Sequence, residues 1–593
     1  MLRKSHTTRN TNQNGICGDR FMLRELKRFF SRGVANLDSG LTNAITSPSQ
    51  RNQASTVSQM RDKLNGTKKA LSGTPATYSS RPEIVVGMIG PVGVDIDSIT
   101  KKVSETLHDF WYNTNTIRVS NLLEQIDKLE TDFRDGSEYE RIKSRMEAGT
   151  KLRQKVKRGD ILALLSIREI WRARQENIPE NQLKEGLDPI EAPLYGWAHI
   201  IRSIKHPDEA KALREIYGNA FILISIYSPK EVRRANLIQK MTVSAKHQDE
   251  GPESLASDLL EIDEKEDDLE DLGQDVSGAF PHADIFVDSR DLNKVEKDLN
   301  RFFNSYFGYP FNTPTRDEFG MFTAKCASYR SSDMSRQVGA CITNDEGSVL
   351  GIGNNEIPKA GGGLYWEDDD PDGRDFVKGQ DASVNFRNKI LTEIVHELHK
   401  QDILNPKWGD PQNLFEYFSS DSEGKKIWGR LLVSSLIEFG RPLHAEMAAI
   451  LDAQSKGISI KDSTLYCTTF PCHLCARMII GSGIKRVVFV EPYHKSQSEA
   501  LYGDSINVDR TSDDSTKVTF EPFVGVSPTK YERLFAYPGK RRDSDGKPTS
   551  WSKNDPEPLI KRFVNTYPMV EAIAYSETAL PRLEKVGLKF SAG

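Results

Sequence analysis

Two short motifs constrain this chain more than anything else in it. His444-Ala445-Glu446, after Arg441-Pro442-Leu443, opens a helical pattern that runs to Lys456. Pro471-Cys472-His473-Leu474-Cys475 opens another that runs to Ser482. The 24 residues between Glu446 and Pro471 suffice for the rest of the first helix, a turn and the strand Ser463 to Thr469. Cys472 and Cys475 stand at i and i+3, so both thiolates can face one ion from one side of a helix. Pro471 suits a helix start.

One His and two Cys supply three protein ligands, and tetrahedral zinc then keeps its fourth position open for water. Zinc lowers the pKa of that water to about 7. Glu446, two residues from the His, is placed to carry protons rather than to ligate. A structural zinc would need a fourth protein ligand, and the nearest candidate, His473, points off the ligand face. H-x-E followed by P-C-x-x-C resembles the signature of the zinc-dependent cytidine-type deaminases. That resemblance implies Zn2+ held by His444, Cys472 and Cys475, with Glu446 as the catalytic acid and base.

At 593 residues the chain exceeds one hydrophobic core, so two or three domains are expected. Its net charge of -5 is unevenly spread. Residues 1–80 hold thirteen Lys/Arg against four Asp/Glu, and Asp249 to Asp275 holds thirteen acids against one lysine. Both read as solvated, flexible chain, with one short helix around Phe21 to Phe30 in the basic tail. Six cysteines in a chain this long do not make a disulfide framework, since Cys17, Cys326, Cys341 and Cys467 are scattered; a reducing, cytoplasmic compartment is expected. The Arg/Ser-rich start is also faintly similar to an organellar transit peptide. No apolar run approaches the roughly 18 residues of a membrane span, so no membrane partner is expected.

Order is expected to begin at Ile84 to Ile89, a strand that ends in glycines and leads into a helix, Ile99 to Phe110. A helix follows at Glu140 to Lys157, then a strand at Asp160 to Ile167 with a helix continuing through Arg174. Strands at Ala198 to Ser203 and Ala220 to Tyr227 flank the helix Asp208 to Tyr217, and Ala283 to Val287 is a last strand. Alternating strands and helices predict a parallel α/β sheet covered on both faces. A second α/β/α unit begins near residue 313, with a helix at Phe319 to Ser331 and a hairpin of Gly339 to Thr343 with Ser348 to Gly353. The domains so expected are a tail (1–80), an α/β domain (81–312, with an acidic loop at 249–275), the second unit (313–540, interrupted by an insertion at 359–441) and an extension (541–593). From Pro522 onward the chain is turn-rich, without usable periodicity.

The second unit also resembles the deoxycytidylate deaminases. Ser331-Ser332-Asp333-Met334-Ser335-Arg336-Gln337-Val338-Gly339-Ala340 is similar to their Ser/Arg-rich turn, and Gly353-Asn354-Asn355-Glu356-Ile357-Pro358 to their G-x-N-x-x-P loop. Leu465 to Cys472 and Val487 to Val490 continue the likeness. It covers about 320–355 and 441–495, and it implies a free deoxycytidine nucleotide as substrate and self-association. Asn355 would hold the sugar, and Ser335 and Arg336 would contact phosphate. The long insertion departs from the plain enzyme.

In the first domain, Gly87-Met88-Ile89-Gly90-Pro91-Val92-Gly93-Val94-Asp95 sits where a phosphate-cradling loop would lie. It does not match GxxxxGK[ST], because Val94 and Asp95 stand where the Lys and Ser/Thr belong. The domain nevertheless resembles P-loop nucleotide kinases, through Ile200 to Glu209 and Arg233-Arg234. That likeness implies a degenerate kinase whose Gly87, Gly90, Gly93, Asp95 and Arg202 meet a nucleotide, with Gly149 and Arg153 in the acceptor region. The whole layout resembles the bacterial anti-phage deoxycytidine nucleotide deaminases, which implies depletion of dCTP under control of a regulatory nucleotide or inhibitory RNA at the N-terminal domain. Competing readings are a housekeeping dCMP deaminase, a polynucleotide-editing deaminase and a catalytically silent nucleotide sensor.

Overall fold

The computed structural model describes residues 81–590, apart from 130, 180–187, 189–191, 245–250, 270–271, 406–410, 494–495, 510–513, 515, 555, 557 and 560–566. The basic tail, its short helix, Cys17 and parts of the acidic stretch therefore lie outside the described residues. Two six-stranded sheets organise the rest.

The first sheet grows from the apolar run Ile84–Ile89, β1, which is buried at every position. Helix α1 (Ile96–His108) follows, then β2 (Asn113–Arg118), the short β3 (Ile126–Asp127) and helices α2 (Glu138–Val156) and α3 (Ile161–Asn177). Next come β4 (Trp197–Ile204), α4 (Pro207–Tyr217), β5 (Phe221–Tyr227), α5 (Lys230–Ser244), α6 (Pro252–Leu269), β6 (Ile285–Asp288) and α7 (Leu292–Tyr306). Strands β2, β4, β1, β5 and β6 are parallel neighbours in that order. This is the mixed α/β, parallel-rich architecture that the alternating pattern predicts.

Three local expectations need correction. Ile161 to Ile167 is the start of α3 and not a strand: it is buried on every side, and a short apolar run buried all round has the same sequence pattern in either conformation. β2, with the sequence NTNTIR, was not expected because only Ile117 is buried on this edge strand. The acidic stretch contains α6, whose Leu255, Ala256, Leu259 and Leu260 pack against Leu237, Met241 and Met146. Its apolar stripe was hidden by the acids on its other face.

The second sheet follows helix α8 (Arg316–Ser328), which is started by a capping box between Thr315 and Glu318. The hairpin β7 (Gly339–Thr343) and β8 (Val349–Asn354) forms as expected, and β9 (Thr464–Thr469) joins β7 antiparallel. β10 (Arg486–Glu491), β12 (Val518–Pro522) and β11 (Ile506–Val508) continue in parallel. Helices α10 (Ala445–Ser455) and α11 (His473–Gly481) pack on this sheet, and the insertion carries α9 (Ala382–Lys400). The insertion's ends meet: Glu356 and Leu443 form a two-way backbone bridge, with N–H···O distances of 3.2 and 3.0 Å. A long excursion is tolerated there because the chain re-enters where it left.

The C-terminal stretch, which has no usable sequence periodicity, adds one strand to the first sheet and another to β3 in a separate two-stranded sheet. β13 (Gly525–Val526) adds an antiparallel edge to β6, and β14 (Lys589–Phe590) pairs with β3. Between them, α12 (Tyr567–Ala572) continues through a π-helical segment (Ile573–Ala579) into α13 (Leu580–Lys585). Buried Arg174 of α3 donates to Glu83 ahead of β1 and to Glu571 of α12, at 2.6–3.0 Å. Phe286 of β6 meets Phe523 edge-on at 5.7 Å, and one apolar core runs from Val85 and Ile201 through to Met321, Cys341 and Tyr466.

Candidate active site

Two helix N-termini converge on one point. His444 is the N-cap of α10 and Cys472 the N-cap of α11, and Cys475 lies within the first turn of α11. His444 Nδ1 lies 3.2 Å from Cys472 Sγ and 3.3 Å from Cys475 Sγ, and the three ligand atoms lie within 4.8 Å of one another. Bond lengths of 2.1 and 2.3 Å at a tetrahedral zinc put N and S about 3.5 Å apart, so the donor set fits the ion. No fourth donor joins the group among the described residues. His473 turns away, its Nε2 3.3 Å from Glu438 Oε1.

The electrostatics suit a cation. Hydrogen bonding from Cys475 outweighs burial and holds the Cys472 thiol down at about 4, so Cys472 is a thiolate. Burial alone would lower His444, but the Cys472 thiolate beside it raises it to about 9. Burial pushes the Cys475 thiol well up. Both helix N-termini add partial positive charge that favours the thiolate and the Glu446 carboxylate. Glu446 is 4% exposed and borders the cavity; burial, and then the Cys472 thiolate, raise its carboxyl.

Close packing fixes these helices. A Cβ on Gly353 would lie 2.2 Å from Ala445 O and 2.3 Å from Ala449 N, so only glycine lets α10 rest on β8. Phe470 wedges against Phe489 and Phe520, with ring centroids at 4.9 and 5.6 Å. Ser496 and Ser498 hydroxyls hold the Pro471 carbonyl at 2.9 and 3.0 Å.

A cavity of about 580 Å³ opens over the cluster, within the range of small-molecule sites. Asn355, Ser335 and Arg336 all border it, alongside His444, Glu446 and Cys472. The Asn355 amide accepts from Val338 N (2.7 Å) and donates to Arg336 O (2.9 Å), bracing the Ser331–Ala340 turn. Ser335 is exposed and its hydroxyl donates to Asp333 (2.6 Å). Arg336 stands at the rim over the Tyr493 ring, 5.5 Å from its centroid, and 3.9 Å from Glu491. Sequence reasoning missed the part of the cavity lining that the insertion supplies. Arg387 of α9 borders the cavity and donates to Ser434 O at 2.8 Å, and Arg441 pairs with Asp375. Nothing in the sequence marks Arg387, which lies 57 residues before His444 in a segment outside every motif.

Of the N-terminal residues singled out earlier, Gly90, Gly93, Gly149, Arg153 and Arg202 border one cavity, and Gly87 and Asp95 do not. Gly87 lies inside β1, where a Cβ would meet Ile204, Leu223 and Phe221 at 2.5–2.9 Å, so its role is packing. Asp95 caps α1 through Ser98 N and Oγ. Gly90 and Gly93 do shape the turn, and Gly93 has φ +87° with the Arg233 carbonyl 2.7 Å from where a Cβ would be. Groups of the protein itself bond to the turn. Val92 N donates to Asp263 Oδ2 (2.8 Å), Asn236 Nδ2 to Gly93 O (3.1 Å) and Lys205 Nζ to Gly90 O (2.9 Å). A carboxylate from α6 thus takes an amide that a bound phosphate would use.

Residues 314–491 match the family model described as the cytidine and deoxycytidylate deaminase zinc-binding region. A deoxycytidylate deaminase of Pongo abelii is 27% identical over 209 residues, spanning 35% of this chain and 79% of that protein. The Homo sapiens deoxycytidylate deaminase is 25% identical over the same shares, and that of Enterobacteria phage T4 is 47% identical over 55 residues, 9% of this chain and 28% of that one. A solved dCMP deaminase from the cyanophage S-TIM5, in complex with dCMP and dUMP, aligns at 20% identity over 36% of this chain and all of that one, with a TM-score of 0.20. The C-terminal region of this chain is therefore a domain of the cytidine and deoxycytidylate deaminase family, and the chain is an enzyme of the hydrolase class.

Proposed function

We propose that the protein hydrolyses the exocyclic amine of a free deoxycytidine nucleotide, dCMP and also dCTP, giving the deoxyuridine nucleotide and ammonia. The observation that carries this is the His444–Cys472–Cys475 donor set with a non-ligating Glu446 beside it at the floor of a nucleotide-sized cavity. The matches to deoxycytidylate deaminases support the dCMP reading. When bound by these three ligands, zinc supplies Lewis acidity that makes water a nucleophile at neutral pH.

The chain's own groups do the rest. Glu446, desolvated and fixed on the first turn of α10, takes a proton from the attacking water and passes it to N3. It then carries a proton to the leaving amine, so one water is consumed and one ammonia released. Asn355 and the turn it braces set the sugar's place, and Arg336 and Arg387, which both border the cavity, favour a phosphorylated substrate over the nucleoside. Two guanidiniums at the mouth support more than one phosphate, which is the basis for including dCTP. The finer reading is that the enzyme depletes dCTP in defence against phage, acting as a homo-oligomer in the cytoplasm, with the kinase-like first domain regulating it through a nucleotide or inhibitory RNA. Its support is the two-part layout and the insertion, which a plain dCMP deaminase does not need. Phage plating on cells that carry the wild type or Glu446→Ala tests it. Protection only by the wild type is expected, and equal protection by both would leave catalysis irrelevant.

A further inference from the structure

The turn from Ser331 to Ala340 borders the cavity beside His444 and Cys472, yet its tip is not fixed by apolar packing. Met334, Ser335, Arg336 and Gln337 are all exposed. Where the tip points is therefore decided by hydrogen bonds on its two legs. Asn355 clamps the outgoing leg, through Val338 N and Arg336 O.

The next residue clamps the incoming leg. Glu356 is 2% exposed, and its Oε2 accepts from Ser332 N at 2.9 Å and from Ser332 Oγ at 2.7 Å. Its Oε1 accepts from Ile357 N at 2.9 Å. The tip hangs from that leg. Ser331 Oγ accepts from Asp333 N (3.2 Å), and Asp333 Oδ1 accepts from Ser335 N (2.8 Å) and Ser335 Oγ (2.6 Å).

Burying a carboxylate is costly unless donors replace the lost water. A carboxylate on the cavity lining also repels a substrate phosphate. Glu356 carries both costs at the place where three segments meet. Its backbone is bonded both ways to Leu443, the residue before His444, and its side chain holds Ser332. One residue thus ties the start of α10, with its zinc ligand, to the turn that carries Ser335 and Arg336.

We infer that Glu356 is a positioning residue for the deamination, setting how the Ser335–Arg336 tip meets the substrate phosphate relative to the zinc ligands; this rests on the deoxycytidine-nucleotide reading above. Both carboxylate oxygens are taken by the protein, so Glu356 acts through Ser332 and not on the substrate. Its loss frees the incoming leg while Asn355 keeps the outgoing one. The phosphate end of the substrate then loses its fit, and the nucleoside end keeps it.

Steady-state kinetics of the zinc-loaded full chain with dCMP and deoxycytidine test this, for wild type, Glu356→Ala, Glu356→Gln, Ser332→Ala and the Glu356→Ala/Ser332→Ala double variant. Glu356→Ala is expected to raise KM for dCMP about tenfold, the loss of hydrogen bonds to a charged group, with kcat within about twofold. Its kcat/KM for deoxycytidine should stay within about twofold of wild type. Adding Ser332→Ala to Glu356→Ala should change KM no further, because the two residues act as one unit. Glu356→Gln keeps an oxygen for Ser332 and should raise KM about threefold, which decides the matter even where the alanine variant fails to fold. The inference is overturned by an unchanged KM in both Glu356 variants, by an equal loss on deoxycytidine, by a fall in kcat alone, or by additive effects of Glu356→Ala and Ser332→Ala. A wild type that leaves dCMP intact overturns the deaminase reading and this inference with it, whereas an active wild type matched by its variants overturns the inference alone.

Discussion

Replacing Glu571 with alanine removes the carboxylate through which the C-terminal segment is tied to the first sheet. Glu571 is fully buried and accepts from Arg174 Nη1 (2.6 Å), Arg174 Nη2 (2.8 Å) and Trp171 Nε1 (3.1 Å). Breaking a buried ion pair by deleting one partner costs about 3–5 kcal/mol. Arg174 keeps both oxygens of Glu83, at 3.0 and 2.7 Å, so the lower end, about 3 kcal/mol, applies. At 1.4 kcal/mol per factor of ten, that raises the open population of the segment by about two orders of magnitude. Native-state hydrogen exchange of α12, α13 and β14 reads this directly, since amides that exchange by local opening report its free energy. Rates there should rise about 100-fold, with those of β9 and β10 unchanged. A rise below about tenfold, or an equal rise in β9 and β10, would refute the reasoning. The remaining pair sets the acid limit. Burial alone would raise the Glu83 carboxyl, but Arg174 and His199 hold it well below its ordinary 4.5. Its contribution is full above that value and is lost only as pH falls through the lowered one.

Three further outcomes follow from the site. Metal loading at pH 7 should release about two protons, from His444 near 9 and from the raised Cys475 thiol, and zinc affinity should fall as pH drops; titration in buffers of different ionisation heat measures the count, and release of none would contradict the ligand assignment. Gly353→Ala should displace α10 by steric conflict with Ala445 O, destabilise the second unit by about 1–3 kcal/mol and lower kcat with it, read by denaturant unfolding and turnover. Arg387→Ala should raise KM for dCMP and dCTP by about tenfold, the loss of one charge-assisted hydrogen bond, without changing turnover of deoxycytidine; an equal effect on the nucleoside would place Arg387 away from phosphate.

The chemistry-bearing residues were legible because their spacing is local: a cap and its first turn, twice, joined by a strand. His444, Glu446, Cys472 and Cys475 need no long-range knowledge to be found. Arg387 and Arg441–Asp375 were not legible, because the insertion reaches the cavity by a fold that no periodicity announces. Nor was the anchoring of the C-terminal segment, whose Glu571 meets Arg174 across 397 residues. The glycine turn shows the opposite error. Its pattern suggested a phosphate cradle, yet Gly87 serves strand packing, Asp95 serves a cap, and Asp263, from a stretch read as solvated loop, accepts the Val92 amide of the turn.

The most direct test of the central claim is turnover itself. Purified protein loaded with zinc is incubated with dCMP, dCTP, deoxycytidine and single-stranded DNA, and ammonia and the uracil product are quantified for wild type and Glu446→Gln. We expect dCMP and dCTP to give the deoxyuridine nucleotides and one equivalent of ammonia each, with activity in Glu446→Gln lower by about 10²–10⁴ or more. Absence of product from either nucleotide, or activity indifferent to Glu446, would contradict the account.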